Sequence, residues 1–85
     1  METTIYTIRD ELGIHARPAG LLAKEVKKFQ SKIMLEGNGK QADAGKILAV
    51  MGMGIKKGTE VTITAEGPDE DKAIVAMEMF FKNNL

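Results

Sequence analysis

Gly13-Ile14-His15-Ala16-Arg17-Pro18-Ala19 is where the periodicity of the chain changes. Before it, Ile5 to Ile8 reads as a short strand, with Tyr6 and Ile8 on one side and Thr7 and Arg9 on the other. Asp10 to Gly13 is turn-like. After it, Ala19, Leu22, Ala23, Val26 and Phe29 recur at i, i+3, i+4, i+7 and i+10, the stripe of an amphipathic helix. Pro18 fits only the first helical turn, where its missing N–H has no partner to lose, so the helix starts near His15. Gly20 lies inside that helix at a cost of about 1 kcal/mol against Ala, which points to a close approach there by the sheet or a partner.

Further along, Ser31 to Glu36 reads as a second strand with Ile33 and Leu35 inward. Gly37-Asn38-Gly39 carries the signal of a tight hairpin, because both central residues of a type I′ turn need positive φ. Lys40 to Asp43 returns as a third strand, poor in large apolar residues and so suited to an edge. Lys46 to Met53 is a short helix candidate, with Ile47, Val50 and Met51 at i, i+3 and i+4 and Gly54 as its cap. Glu60 to Glu66 alternates, with Val61, Ile63 and Ala65 inward and Thr62 and Thr64 outward. Gly67-Pro68-Asp69 offers Asp69 as N-cap of a last helix marked by Ala73, Ile74, Met77 and Phe81 and ending near Asn83. The order is β-α-β-β-α-β-α. It predicts a two-layer α+β fold, one domain over residues 1–85, since each amphipathic helix needs a sheet face to cover.

Composition excludes several functions. Among 85 residues there is no Cys, which removes disulfides, thiol catalysis and cysteine-bound zinc. One His leaves no transition-metal ligand set, and no cofactor motif is present. Gly52-Met53-Gly54 is a helix stop rather than a phosphate loop, because no GK[ST] follows. Twelve Lys+Arg balance twelve Asp+Glu, and Trp is absent, against a nucleic-acid interface and against a small RNA-binding domain. No signal peptide and no membrane-spanning run is visible, so the expected compartment is the cytoplasm.

What remains is His15. At a helix start the N–H groups of Ala16 and Arg17 have no backbone partner, and the helix end carries about half a positive charge. Both effects disfavour a second cation on the ring and welcome an anion attached to it. Arg17 adds a planar guanidinium suited to phosphate oxygens. No second base and no paired carboxylate is placed near His15 by the sequence. An isolated group carrier therefore fits better than an enzyme. Lys24, Lys27, Lys28, Lys32 and Lys46 read as a solvated face that could steer acidic partners. Ile47, Leu48 and Met51 cannot all be core on one short helix. The spacing puts Ile47 and Met51 inward and leaves Leu48 exposed beside His15.

The Gly13–Ala19 motif, Ile47-Leu48-Ala49-Val50-Met51, and Gly54-Ile55-Lys56-Lys57-Gly58-Thr59-Glu60-Val61 together resemble HPr, the histidine-containing phosphocarrier family of the bacterial phosphoenolpyruvate:sugar phosphotransferase system. The resemblance covers essentially the whole chain. It implies an open-faced β-sandwich of four antiparallel strands covered by three helices. It also implies that His15 takes a phosphoryl group on Nδ1 from phosphorylated Enzyme I and passes it to EIIA domains. By the same analogy Ala16 and Arg17 hold the phosphate, and Gly20, Lys24, Ile47, Leu48 and Met51 form the partner surface. In Gram-positive members a regulatory serine opens the second helix. Here that position is Lys46, so HPr kinase is not an expected partner. The competing reading is a regulatory module that docks to a target without carrying phosphate. A monomer is the simplest expectation for a shuttle.

Overall fold

The Asn-Gly hairpin sets the first pairing. Asn38 and Gly39 take φ of 55° and 72°, the primed-turn geometry that matches the twist of the flanking strands. They join β2 (Lys32–Gly37) to β3 (Lys40–Asp43), with Gly37 opposite Lys40. The computed structural model describes residues 1–85. Its other elements are β1 (Glu2–Thr7), α1 (Ala16–Val26), α2 (Ile47–Met51), β4 (Glu60–Glu66) and α3 (Glu70–Asn84). Every strand pair is antiparallel, and the sheet order is β1-β4-β2-β3. β3 is an edge, as its polar composition predicts.

Alternation decides which face is covered. Val61, Ile63 and Ala65 of β4 and Ile33 and Leu35 of β2 are buried on one side. Ala19, Leu22, Ala23 and Val26 of α1 and Ala73, Ile74, Met77 and Phe81 of α3 meet them. The result is one cluster of 20 buried apolar residues. Each large side chain in it contributes about 1.5–3 kcal/mol by leaving water. Thr3, Ile5 and Thr7 stay exposed on the uncovered face. This is the open-faced, three-helix layering that the resemblance implies.

Several local expectations are corrected. α1 stops at Val26, before Phe29. Lys28 and Phe29 donate to the carbonyls of Glu25 and Val26, three residues back, and these tighter turns carry Phe29 out of the helix to pack on the core edge. α2 is only Ile47–Met51, capped by Gly52 rather than Gly54. Gly54, at φ 68°, closes a further turn through its N–H to Met51 O. Ile47 and Met51 are not core: they are 41% and 38% exposed, and Val50 alone of α2 is buried. A helix this short lies along the surface with one side chain pointing in, and Met53 and Ile55 fill the core behind it. Gly20 meets neither sheet nor helix: a Cβ there would find open space.

Asp69 stands at the N-cap of α3 but caps nothing in that helix. Its carboxylate instead accepts the N–H groups of Gln30 and Ser31, each at 2.9 Å, and the Ser31 hydroxyl. It thereby ties the start of α3 to the α1–β2 connection.

Candidate functional site

His15 is the N-cap residue of α1, extended at φ −107° and ψ −171°. Its carbonyl accepts the Ala19 N–H at 3.0 Å, while its side chain makes no capping bond. The ring is therefore free of structural duty. The N–H groups of Ala16 and Arg17 have no backbone acceptor, and Pro18 has no N–H to offer. No acidic side chain occupies the first turn of α1. The Arg17 guanidinium is exposed and enters no side-chain hydrogen bond or ion pair. Three sets of donors are thus left unsatisfied around one imidazole, at the positive end of a helix. A tetrahedral oxyanion is the ligand that satisfies them together.

The turn leading to His15 is held tightly. Gly13, at φ 68°, lies so close to the Ile55–Lys56 backbone that a Cβ would overlap the Ile55 carbonyl. Ile14 donates to that carbonyl at 3.1 Å, and Gly13 donates to Asp10 O at 3.0 Å. Leu12 donates to Asp10 Oδ1 at 2.8 Å. The N–H groups of Arg9 and Asp10 both reach Leu85 O, at 2.7 and 2.8 Å. Lys57 pairs with Glu11 at 2.7 Å across the neighbouring loop. A site built on such a frame does not have to be ordered when its ligand arrives.

Two hollows flank the first turns of α1. One, of about 240 Å³, lies between His15, Asp10, Arg17 and the Asn83–Asn84 end of α3. The other, of about 410 Å³, lies between α1 and α2, and Arg17, Gly20, Lys24, Lys27 and Ile47 line it. Arg17 and Leu21 form the ridge common to both. Leu48, 83% exposed, and Met51 are further exposed apolar residues of α2. The structure thus brings Gly20, Lys24 and Ile47 together beside Arg17, with Leu48 and Met51 on the same short helix.

Sequence reading missed two residues here. Asp10 brings Oδ1 to 4.0 Å from His15 Nε2, so a carboxylate does stand near the ring. Its signal was an Asp opening a turn that ends at His15. Leu21 is an exposed apolar residue that falls off the buried Ala19–Leu22–Ala23 stripe, and that mismatch was its signal.

A family model described as PTS HPr component phosphorylation site matches residues 2–83. The chain belongs to the HPr family. It is 52% identical over 71 residues to the phosphocarrier protein HPr of Mycoplasma capricolum, spanning 84% of this chain and 80% of that protein. Among solved structures, a mycoplasma histidine-containing phosphocarrier protein superposes with a TM-score of 0.93 at 45% identity, covering 96% of this chain and 93% of the other. Crh, a Bacillus subtilis catabolite-repression protein described as a swapped dimer, superposes with a TM-score of 0.78 at 33% identity, covering 100% and 98%. As an HPr, the chain is a phosphocarrier of the phosphotransferase system, working between Enzyme I and EIIA domains. It is transiently phosphorylated on histidine and is not itself an enzyme. No helix is long and apolar enough to cross a membrane.

Lys46 is the N-cap residue of α2, exposed and without a side-chain cap bond. Asp43 Oδ1 accepts the Gly45 N–H at 2.8 Å, which brings an acidic group to this helix start. Between Ala44 and Gly58 there is no Ser, Thr or Tyr.

Proposed function

We propose that His15 Nδ1 is the atom that carries the phosphoryl group, within a single HPr-like domain that works as a monomer in the cytoplasm. The observation that supports this is the coincidence, at the chain's sole His, of the unpaired N–H groups of Ala16 and Arg17 with the unpaired Arg17 guanidinium. The Nδ1 lone pair attacks phosphorus in line with the bond to the donor atom of phosphorylated Enzyme I. That bond breaks as the new one forms, and no proton need be lost. Charge builds on the three equatorial oxygens, and the donors at Ala16 and Arg17 face them. The reverse sequence of bond changes delivers the group to the next carrier.

Gly20, Lys24, Ile47, Leu48 and Met51 form the docking surface for both Enzyme I and EIIA, with Leu21 added. An open glycine face and exposed Leu and Met let a partner approach, and Lys24 favours an acidic one. HPr kinase has no hydroxyl to modify at α2, and Ser31 is buried and bonded to Asp69. Purified kinase with ATP should leave the protein unlabelled. Label mapped to α2 or its flank would defeat the idea of insulation. Light scattering on the purified chain tests the monomer, since a dimer mass at working concentration would contradict it.

Enzyme I, magnesium and phosphoenolpyruvate should add one acid-labile phosphoryl group, and His15→Ala should abolish it. A wild-type mass that stays unchanged beside an active Enzyme I, or a phosphorylated His15→Ala protein, would overturn the reading.

A further inference from the structure

We infer that Asp10 is a positioning residue for the transfer, selecting the reactive tautomer of His15 and keeping the proton on Nε2 while Nδ1 carries the phosphoryl group. The inference rests on the carrier reading above. Asp10 Oδ1 lies 4.0 Å from His15 Nε2, and the two side chains are only 33% and 37% exposed. Asp10 is itself fixed at three points: its N–H donates to Leu85 O, its carbonyl accepts the Gly13 N–H, and its Oδ1 accepts the Leu12 N–H. The carboxylate is thus held on the Nε2 side of the ring and leaves Nδ1 to the substrate.

The chemistry requires this division. Nδ1 is a nucleophile only when its lone pair is free, so the neutral ring must carry its proton on Nε2. A carboxylate on the Nε2 side selects that tautomer. When the Nδ1–P bond forms, the ring keeps the Nε2 proton and gains positive charge, which the carboxylate offsets. When the group moves on, the Nδ1–P electron pair returns to Nδ1 and the ring departs as neutral imidazole, its proton still on Nε2. Were that proton lost, the leaving group would be imidazolate, a far worse one. The proton count is unchanged through both steps. At 4.0 Å the contact is longer than a hydrogen bond. Side-chain rotation of about 1 Å closes it, as resting-state contacts of this kind commonly tighten in the reacting complex.

No other charge facing the ring plays this part. From α1, Arg17 is a cation and belongs to the phosphoryl side. From α3, Asn83 and Asn84 are neutral, and Leu85 O already takes the Arg9 and Asp10 amides. Glu11, in the same turn, is paired with Lys57.

The test is Asp10→Asn in the full chain, read by ¹⁵N NMR of the unphosphorylated imidazole and by the pH profile of onward transfer. The amide oxygen still accepts the Leu12 N–H, so thermal stability should hold. The ring should shift from the Nε2–H tautomer toward Nδ1–H. The alkaline limb of the transfer profile should move down by about half to one pH unit, as expected of a partly exposed charge pair. Asp10→Glu should restore much of both. Unchanged tautomer and pH profile in Asp10→Asn would overturn the inference. If Asp10→Asn does not fold, the wild-type ring decides: a dominant Nδ1–H tautomer contradicts the inference and Nε2–H upholds it. Failure of the carrier reading would look different, since wild type would then take no phosphoryl group at all.

Discussion

The starts of α1 and α3 both lack a side-chain cap, and they differ in the charge placed around them. Both expose N–H groups at the positive end of a helix. At α3 the surroundings are filled with acid. Asp69 binds the α1–β2 connection, and Glu70 takes the Gly67 N–H at 3.2 Å and the Met1 ammonium at 2.6 Å. At α1 there is no acid in the first turn, and the unpaired Arg17 guanidinium stands two residues from the imidazole. One helix start is a lock and the other a receptor. The lesson is that uncapped helix amides can serve an anion where no acidic side chain already stands among them.

That contrast can be broken by experiment, starting with the receptor. Arg17→Ala should slow phosphoryl transfer by about 10²-fold, the usual consequence of removing a donor aimed at developing charge. Its unfolding midpoint should stay at the wild-type value, because Arg17 supports nothing in the resting protein. A large loss of stability would show that Arg17 belongs to the frame after all.

Leu48→Ala separates docking from chemistry. Steady-state transfer should show KM for Enzyme I raised about tenfold with kcat little changed, as for an exposed apolar anchor. An equal fall in kcat would place Leu48 in the reaction rather than on the docking surface.

The lock should respond in the reverse sense. Ser31→Ala removes the buried hydroxyl that donates to Asp69 and should cost about 1 kcal/mol in urea unfolding, with transfer unaffected. Acid titration sharpens this. The Ser31 hydroxyl first, and the Gln30 N–H next, hold the Asp69 carboxyl below its ordinary value of 3.8. The folded state therefore binds this proton less readily than the unfolded chain. The stabilisation is complete above the ordinary value and is lost as pH falls through the lowered one. Unfolding followed below pH 4 should show a shallower acid slope in Asp69→Asn than in wild type.

The smallest effect belongs to the third helix start. Lys46 places a cation where the dipole disfavours it, so Lys46→Ser should raise stability by about 0.3–1 kcal/mol in the same urea assay.

The element order, the hairpin and the inward faces of β2 and β4 were legible in the sequence because each rests on local chemistry. Asn38-Gly39 needs positive φ, Pro18 needs a first turn, and alternation sorts Val61 from Thr62. The helix start that holds His15 and Arg17 was legible for the same reason, since Pro18 fixes it locally. The misreadings all depend on what lies across space. Ile47 and Met51 follow a core period, but α2 is too short to press both against the sheet. Asp69 has the residue type of a cap, yet Gln30 and Ser31, nearly 40 residues earlier, claim its oxygens. Asp10 stands near His15 because its turn is pinned to Leu85 O and the Ile55 carbonyl accepts the Ile14 N–H. Spacing describes elements well, and long-range hydrogen bonds then decide what their ends are for.

The most direct test of the contrast is amide chemical-shift mapping before and after phosphorylation by Enzyme I. The account predicts large downfield shifts at Ala16 and Arg17, with phosphorus coupled to His15 Nδ1, while Gln30, Ser31 and Gly67 stay in place. Phosphorylation without movement at Ala16 and Arg17, or with its main shifts at the start of α3, would contradict it.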